Sequence, residues 1–155
     1  MVIQRWQSVL LLCACLLMAA FSFCSLGQVQ TPEFTLNFTA LGLSYEGEPT
    51  GNAPSGYYLT TWYFFAVSLL SAMLPLLSIF CFKNLPLQKK LCLVEVLLII
   101  AVCAIAASLG YNVEQGNIGW SSLICAPVLA LIATIMAYQR INKDHKLLLS
   151  VDRLR

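Results

Sequence analysis

The sequence contains few charged residues. Of the 155 residues only 10% are Asp, Glu, Lys or Arg, whereas 59% are hydrophobic; about a quarter are charged in ordinary soluble domains. There is a single histidine, His145. Acid–base and metal chemistry needs several such groups close together, so we expect no enzyme activity and no catalytic, metal or cofactor site. The formal net charge of +2 is too small to indicate a nucleic-acid partner.

Four long apolar runs lie between the charges, each near the roughly 20 residues needed to cross a bilayer. They cover approximately residues 9–26, 57–82, 91–109 and 118–138. Lipid offers no partner to a free backbone amide, so each run is predicted to be a helix. The predicted fold class is therefore an all-α membrane protein, a four-helix transmembrane bundle formed by a single membrane domain over residues 1–155.

The basic residues predict how the bundle is oriented, because short cytoplasmic loops retain Lys and Arg. The connections 27–56 and 110–117 contain neither residue. Both termini are therefore predicted to be cytoplasmic, in an N-in/C-in arrangement. All nine basic residues fall on the opposite side from those two connections: Arg5, Lys83, Lys89, Lys90, Arg140, Lys143, Lys146, Arg153 and Arg155.

The N-terminal run has a competing interpretation as a cleaved signal peptide, with Arg5 before the apolar stretch 9–21. No clean small-x-small cleavage site follows this stretch. Removal of the run would also leave an odd number of crossings. We therefore expect the first run to be a retained span.

Glu95 is the only ionisable residue inside a predicted span, which makes it a functional candidate. It falls four residues into the predicted third span, about 6 Å from the cytoplasmic end at 1.5 Å per residue. At that depth its side chain can reach the interface or meet Arg5 or Lys83. A structural role is favoured over ion or proton handling.

Seven cysteines are present, but they show no CxxC spacing and all lie within or beside the spans. Free cysteine behaves there as a small hydrophobic residue. Cys24 and Cys125 both fall towards the outer face, so their pairing in a disulfide remains an open alternative.

Proline and small residues predict how the helices pack. Pro75 and Pro127 are expected to interrupt the second and fourth helices. The recurrence of Ala126, Ala130 and Thr134 at every fourth position predicts close approach to the third helix. Cys103 with Ala107, and Ala104 with Ser108, supply the matching spacing on that helix, although the same faces could serve a partner's helix.

Two segments outside the spans carry their own patterns. In the outer loop 27–56, apolar and polar residues alternate from Phe34 to Glu46, which predicts a small β-hairpin lying over the helices. The cytoplasmic tail 139–155 is predicted to be an amphipathic helix, either anchoring to anionic lipid or docking a cytoplasmic protein. His145 within it is expected to be solvated.

Short segments flanking the spans resemble a known family. The opening residues 1–8, the connection 82–84 with 87–91, and the closing residues 143–144 and 150–155 look like domain of unknown function 4293. The resemblance implies a small bacterial four-span membrane protein of the inner membrane, without an activity. Because these segments share the cytoplasmic side, we expect them to form one polar cap. Its candidate members are Arg5, Lys83, Asp144, Asp152, Arg153 and Arg155.

The predicted function is a non-enzymatic structural or accessory subunit, which assembles with itself or with a larger membrane-protein partner in the lipid bilayer. The alternative is a small carrier or channel for a small solute or ion. Transport of a charged solute would need polar groups at mid-depth. The spans offer few of them: Ser68, Ser71, Ser78, Ser108 and Thr134.

Overall fold

The computed structural model describes residues 2–30, 35–46, 56–81, 84–112 and 117–152. Within these ranges the side chains of residues 2–5, 46, 112, 117, 118, 148, 149, 151 and 152 are not described. The described chain is mostly helical and carries one small antiparallel sheet.

Four long helices form the body of the molecule. They are α1 (Val2–Phe23), α2 (Trp62–Phe80), α3 (Leu85–Asn112) and α4 (Ala126–Asp152). All four are long and apolar enough to cross a membrane, which confirms the prediction of four apolar helices of spanning length in the described part of the chain. Each helix packs against its neighbours in the sequence, and α1 also packs against α4, so the four close into a bundle.

A five-stranded antiparallel sheet covers one end of this bundle. Its strands are β1 (Gly27–Gln30), β2 (Thr35–Thr39), β3 (Gly42–Glu46), β4 (Tyr57–Thr60) and β5 (Asn117–Trp120), in the order β4-β3-β2-β1-β5. The predicted hairpin is confirmed over residues 35–46 as β2 and β3, and Phe34 lies outside the described residues. It is the centre of a larger sheet, because β5 arrives from the connection between α3 and α4 and pairs with β1.

One face of the sheet is apolar and lies on the bundle. Strand residues Val29, Leu36, Phe38 and Leu43 are buried in the same core as Phe64 of α2. The alternate positions carry uncharged polar side chains such as Gln28 and Asn37. We call this end of the molecule the sheet end, and the opposite end, where α1 begins and α4 finishes, the tail end.

The predicted spans 57–82 and 118–138 begin too early. Tyr57–Thr60 form strand β4, so α2 starts at Trp62. Residues 118–120 belong to β5, and a short 3₁₀ turn (Ser122–Cys125) precedes α4. Apolar strands directly preceding apolar helices extend the hydrophobic run without extending the helix.

Helix α3 is longer than the predicted span 91–109, and α1 begins before the predicted span 9–26. Charged residues end an apolar run but do not end a helix, so Lys89 and Lys90 lie within α3. The tail predicted over 139–155 continues α4 as helix to Asp152. Pro75 lies inside α2, but the expected interruption is absent, because α2 is a single helix from Trp62 to Phe80.

Pro127 does not interrupt the fourth helix. It is the second residue of α4, where the first-turn backbone amides have no intrahelical acceptor and the fixed φ of proline suits the helix start. The prediction of an interruption there was wrong because the helix begins eight residues later than the predicted start of the span at 118.

Candidate functional site: the buried Glu95

Glu95 lies on the face of α3 that packs into the bundle. The buried residues of α3 recur every three or four positions, which places them on one helical face. Those nearest the tail end are polar or polarisable, whereas those nearest the sheet end are aliphatic. In order from the tail end they are Gln88, Cys92, Glu95, Ile99, Val102 and Leu109.

The Glu95 side chain is fully buried, with an exposed fraction of 0%. Its predicted depth was wrong, because α3 begins at Leu85 and Glu95 is ten residues, about 15 Å, from that end. A fully buried carboxyl does not reach the interface. The expected snorkelling is therefore excluded by the packing of the bundle.

The hydrogen-bond partner of Glu95 is Thr134 on α4. The Thr134 hydroxyl lies 2.9 Å from Glu95 Oε1 and 2.8 Å from the carbonyl oxygen of Ala130, one turn earlier in α4. Glu95 Oε2 has no hydrogen-bond partner among the described residues. An interior carboxyl with one oxygen paired and one bare is costly unless its charge is neutralised.

Sequence reasoning did not find this pairing. The sequence marks Thr134 as a small residue at helix-packing spacing and as one of the few polar residues of the spans, but it predicts Arg5 or Lys83 as the partner of Glu95. The side chains of Arg5 and Lys83 lie outside the described part of the chain. One signal in the sequence could have indicated the role of Thr134: it is polar, whereas Ala126 and Ala130 at the preceding positions of the same spacing are apolar.

The serines inside the bundle form hydrogen bonds of a different kind. Ser22, Ser68, Ser71 and Ser78 are buried, whereas Ser108 is exposed. The hydroxyl oxygens of Ser22 and Ser68 lie 3.1 Å apart, and each is within hydrogen-bond distance of a carbonyl oxygen of its own helix. A hydroxyl satisfied by its own backbone is compatible with packing alone. Glu95 has no such local partner.

Side chains of three helices meet at the tail end. Gln7 of α1 donates a hydrogen bond to the Asp144 carboxylate of α4. Lys89 of α3 donates to Asn142 Oδ1 at 2.8 Å, and its ammonium group lies 5.6 Å from the centre of the Tyr138 ring. These contacts join α1, α3 and α4 where the polar cap was predicted.

Of the predicted cap residues, only Asp144 has a described side chain. The side chains of Arg5, Lys83, Asp152, Arg153 and Arg155 lie outside the described residues, so their part in the polar cap stays a prediction.

Cys24 and Cys125 are free thiols in the structure, as are the other five cysteines. In the part of the chain that the structure describes, no three His, Cys, Asp or Glu side chains come together in a way that could hold a metal ion.

An apolar groove of about 530 Å³ opens on the side of the bundle near the sheet end. Its floor includes Phe21, and its walls include Cys103, Ala107 and Gly110 of α3 opposite Trp120 and Val128. The small residues predicted to bring α3 and α4 together therefore fall into two groups. Ala126, Ala130 and Thr134 are buried inside the bundle, whereas Ala104, Ala107 and Ser108 are exposed.

Comparison with known proteins leads to one family. No curated protein matches the chain. The family model described as Domain of unknown function (DUF4293) matches residues 3–154, nearly the whole sequence. This match agrees with the resemblance of the flanking segments, and the chain therefore belongs to the family described as Domain of unknown function (DUF4293).

Proposed function

We propose that the chain is a multi-pass protein of the bacterial inner membrane that acts as a non-enzymatic accessory subunit. It binds a transmembrane helix of a larger membrane protein through the lateral groove. The observation that carries this proposal is the row of small residues on α3 that walls the groove: Ala107 is exposed, and Cys103 and Gly110 on either side of it are half-buried. Small residues at this spacing allow two helix backbones to approach closely within a membrane.

The tail end faces the cytoplasm in this proposal, and the sheet lies on the opposite side of the membrane. Lys89, Arg140, Lys143 and Lys146 all lie towards the tail end of α3 or α4, as expected for a cytoplasmic end. The exposed rings near the sheet end, at Tyr57, Tyr58, Trp62, Tyr63 and Tyr111, suit the headgroup layer.

The shape of the groove favours a partner different from the chain itself. A two-fold symmetric dimer brings the same patch of both copies together. Two concave grooves that face each other leave a void, whereas a helix of another protein fills one groove. Self-association through this surface is the alternative outcome of the test.

A photo-crosslinking residue at Ala107 tests the proposal in native membranes. We expect a crosslink to one other membrane protein and recovery of that protein in stoichiometric amount after gentle solubilisation. Leu97, 60% exposed on the same helix but outside the groove lining, is the matched control position and should give no such product.

Three results would count against the proposal. They are equal crosslinking from Leu97, crosslinks only between copies of the chain, and no protein crosslink from either position. The second would replace the accessory role with self-assembly.

A carrier or channel is the second candidate, and the buried Glu95 is the observation that favours it. The core near the sheet end argues against an open path, since Phe21 and Phe64 pack edge to face with ring centres 5.9 Å apart. Both rings are fully buried in the same core as the apolar face of the sheet. Cation flux through vesicles containing the purified protein alone would support the carrier.

A further inference from the structure

Thr134 stands between two acceptors but has one hydroxyl hydrogen. The distances from Oγ1 to Glu95 Oε1 and to the Ala130 carbonyl oxygen, 2.9 Å and 2.8 Å, both fit full hydrogen bonds. A hydroxyl donates one hydrogen and accepts with its lone pairs. If both contacts are full hydrogen bonds, Thr134 donates in only one of them and accepts a hydrogen in the other.

A proton on Glu95 accounts for both distances. If Glu95 Oε1 carries a hydrogen, it donates to Thr134 Oγ1, and the Thr134 hydroxyl donates to the Ala130 carbonyl. If Glu95 is a carboxylate, Thr134 turns its hydrogen to Oε1 and leaves the carbonyl. The exchange needs only rotation of one hydroxyl hydrogen.

The absence of a described hydrogen-bond partner for Glu95 Oε2 also favours a protonated Glu95. In a neutral acid that donates through Oε1, the other oxygen, Oε2, is a carbonyl oxygen. Burying a carbonyl oxygen without a hydrogen bond costs less free energy than burying a charged carboxylate oxygen without one. No Lys, Arg or His belongs to the buried part of the described chain.

We propose that Glu95 is a proton-binding site inside the bundle, with the Thr134 hydroxyl as the acceptor for its proton, and that protons reach it from the tail end. The proposal is independent of the accessory role, which rests on the lateral groove.

The distribution of polar groups supports access from one side. Between Glu95 and the tail end, the buried face of α3 carries Cys92 and Gln88, and Ser78 of α2 lies 3.7 Å from the Cys92 sulfur. Between Glu95 and the sheet end the same face is Ile99, Val102 and Leu109. Buried apolar residues of α1 and α4, Leu11, Ala137 and Ile141, surround Cys92, so on the tail side the polar groups lie along the faces of α3 and α2 alone. The buried serines towards the sheet end, Ser22, Ser68 and Ser71, lie within hydrogen-bond distance of carbonyl groups of their own helices.

The surroundings contain few other titratable groups. Two thiols lie nearby, Cys92 one turn away on the buried face of α3 and Cys15 on α1. The buried polar residues that α2 and α4 contribute in the described bundle are serines and threonines. Tyr138, one turn from Thr134 towards the tail end, is the nearest titratable residue along α4 and lies beside Lys89. Glu95 is therefore the only carboxyl in the buried interior that the structure describes.

Infrared spectroscopy of the full chain in lipid vesicles tests the site directly, because a protonated carboxyl has a C=O stretching band that a carboxylate lacks. We expect this band at neutral pH in the wild-type protein and its complete loss in Glu95→Gln. In vesicles with one orientation, raising the pH on the tail side should remove the band. Raising it only on the sheet side should not.

Three results would overturn the proposal. They are the absence of the acid band from the wild type, its persistence in Glu95→Gln, and a response to the pH of the sheet side.

A second pair of variants keeps the test valid if Glu95→Gln fails to fold. Thr134→Val removes the hydroxyl and should shift the band to higher wavenumber, because the acid loses its acceptor. Thr134→Ser keeps the hydroxyl and should leave the band in place. An unshifted band in Thr134→Val would show that the Glu95 acid does not donate to Thr134.

Discussion

Among the glycines of the described sheet, Gly42 tolerates replacement least. Its φ of +140° is strained for any residue with a side chain, and a Cβ built there lies 2.0 Å from the carbonyl oxygen of Leu59. We expect Gly42→Ala to lower the free energy of unfolding by about 1–3 kcal/mol, because both the backbone and strand β4 must adjust. Thermal unfolding in detergent measures the loss.

Gly119→Ala is the matched control for Gly42→Ala. Its Cβ would meet the nearest atom, the carbonyl oxygen of Gln28, at 3.7 Å, which is an ordinary contact. We expect little change in unfolding temperature. Equal destabilisation by the two substitutions would contradict the turn geometry.

The importance of Glu95 could be predicted from the sequence, but its depth and its partner could not. A single carboxyl among apolar residues is visible in any reading of the chain. Its distance from the helix end depends on where α3 begins. The predicted start was too late because Lys89 and Lys90 end the apolar run but lie inside the helix. Its pairing with Thr134 depends on the relative rotation of two helices, to which no local pattern is sensitive.

At the scale of elements, the sheet joins the two connections at the sheet end. Gln28 of β1 lies opposite Gly119 of β5 on one side and opposite Asn37 of β2 on the other. In a variant without the native cysteines, we expect a disulfide between cysteines introduced at Gln28 and Gly119, because directly paired Cβ atoms are about 4.5–5.5 Å apart. A shift in mobility on non-reducing gels measures it.

Cysteines at Asn37 and Gly119 form the control pair. Their strands are separated by β1, so they are about 9–10 Å apart and should remain reduced. Efficient disulfide formation in the control pair, or none in the test pair, would contradict the order of the strands.

The hairpin was predictable, but the full sheet was not. Alternation over residues 34–46 is long enough to show a period of two, and β2 and β3 follow it. The other three strands have four residues each and directly follow or precede apolar helices. The pairing of β1 with β5 joins segments far apart in the sequence, so no local sequence pattern predicts it.

For the molecule as a whole, four apolar runs were sufficient to predict four spanning helices, because length and hydropathy act over the whole segment. The lateral groove was not foreseen. It depends on which face of α3 turns away from α4, and the small residues at Ala104 and Ala107 fit either a neighbour inside the bundle or a partner outside it.

The orientation of the bundle underlies both proposals, since it decides which compartment supplies the proton and which side of the membrane the sheet faces. In a cysteine-free variant, a cysteine is placed either at Leu41, 40% exposed in the turn between β2 and β3, or at Leu147, 52% exposed near the end of α4. A membrane-impermeant maleimide is then applied to intact cells. We predict that the cysteine at Leu41 is labelled and that the cysteine at Leu147 is labelled only after the membrane is permeabilised. Labelling of the Leu147 position in intact cells would contradict the account.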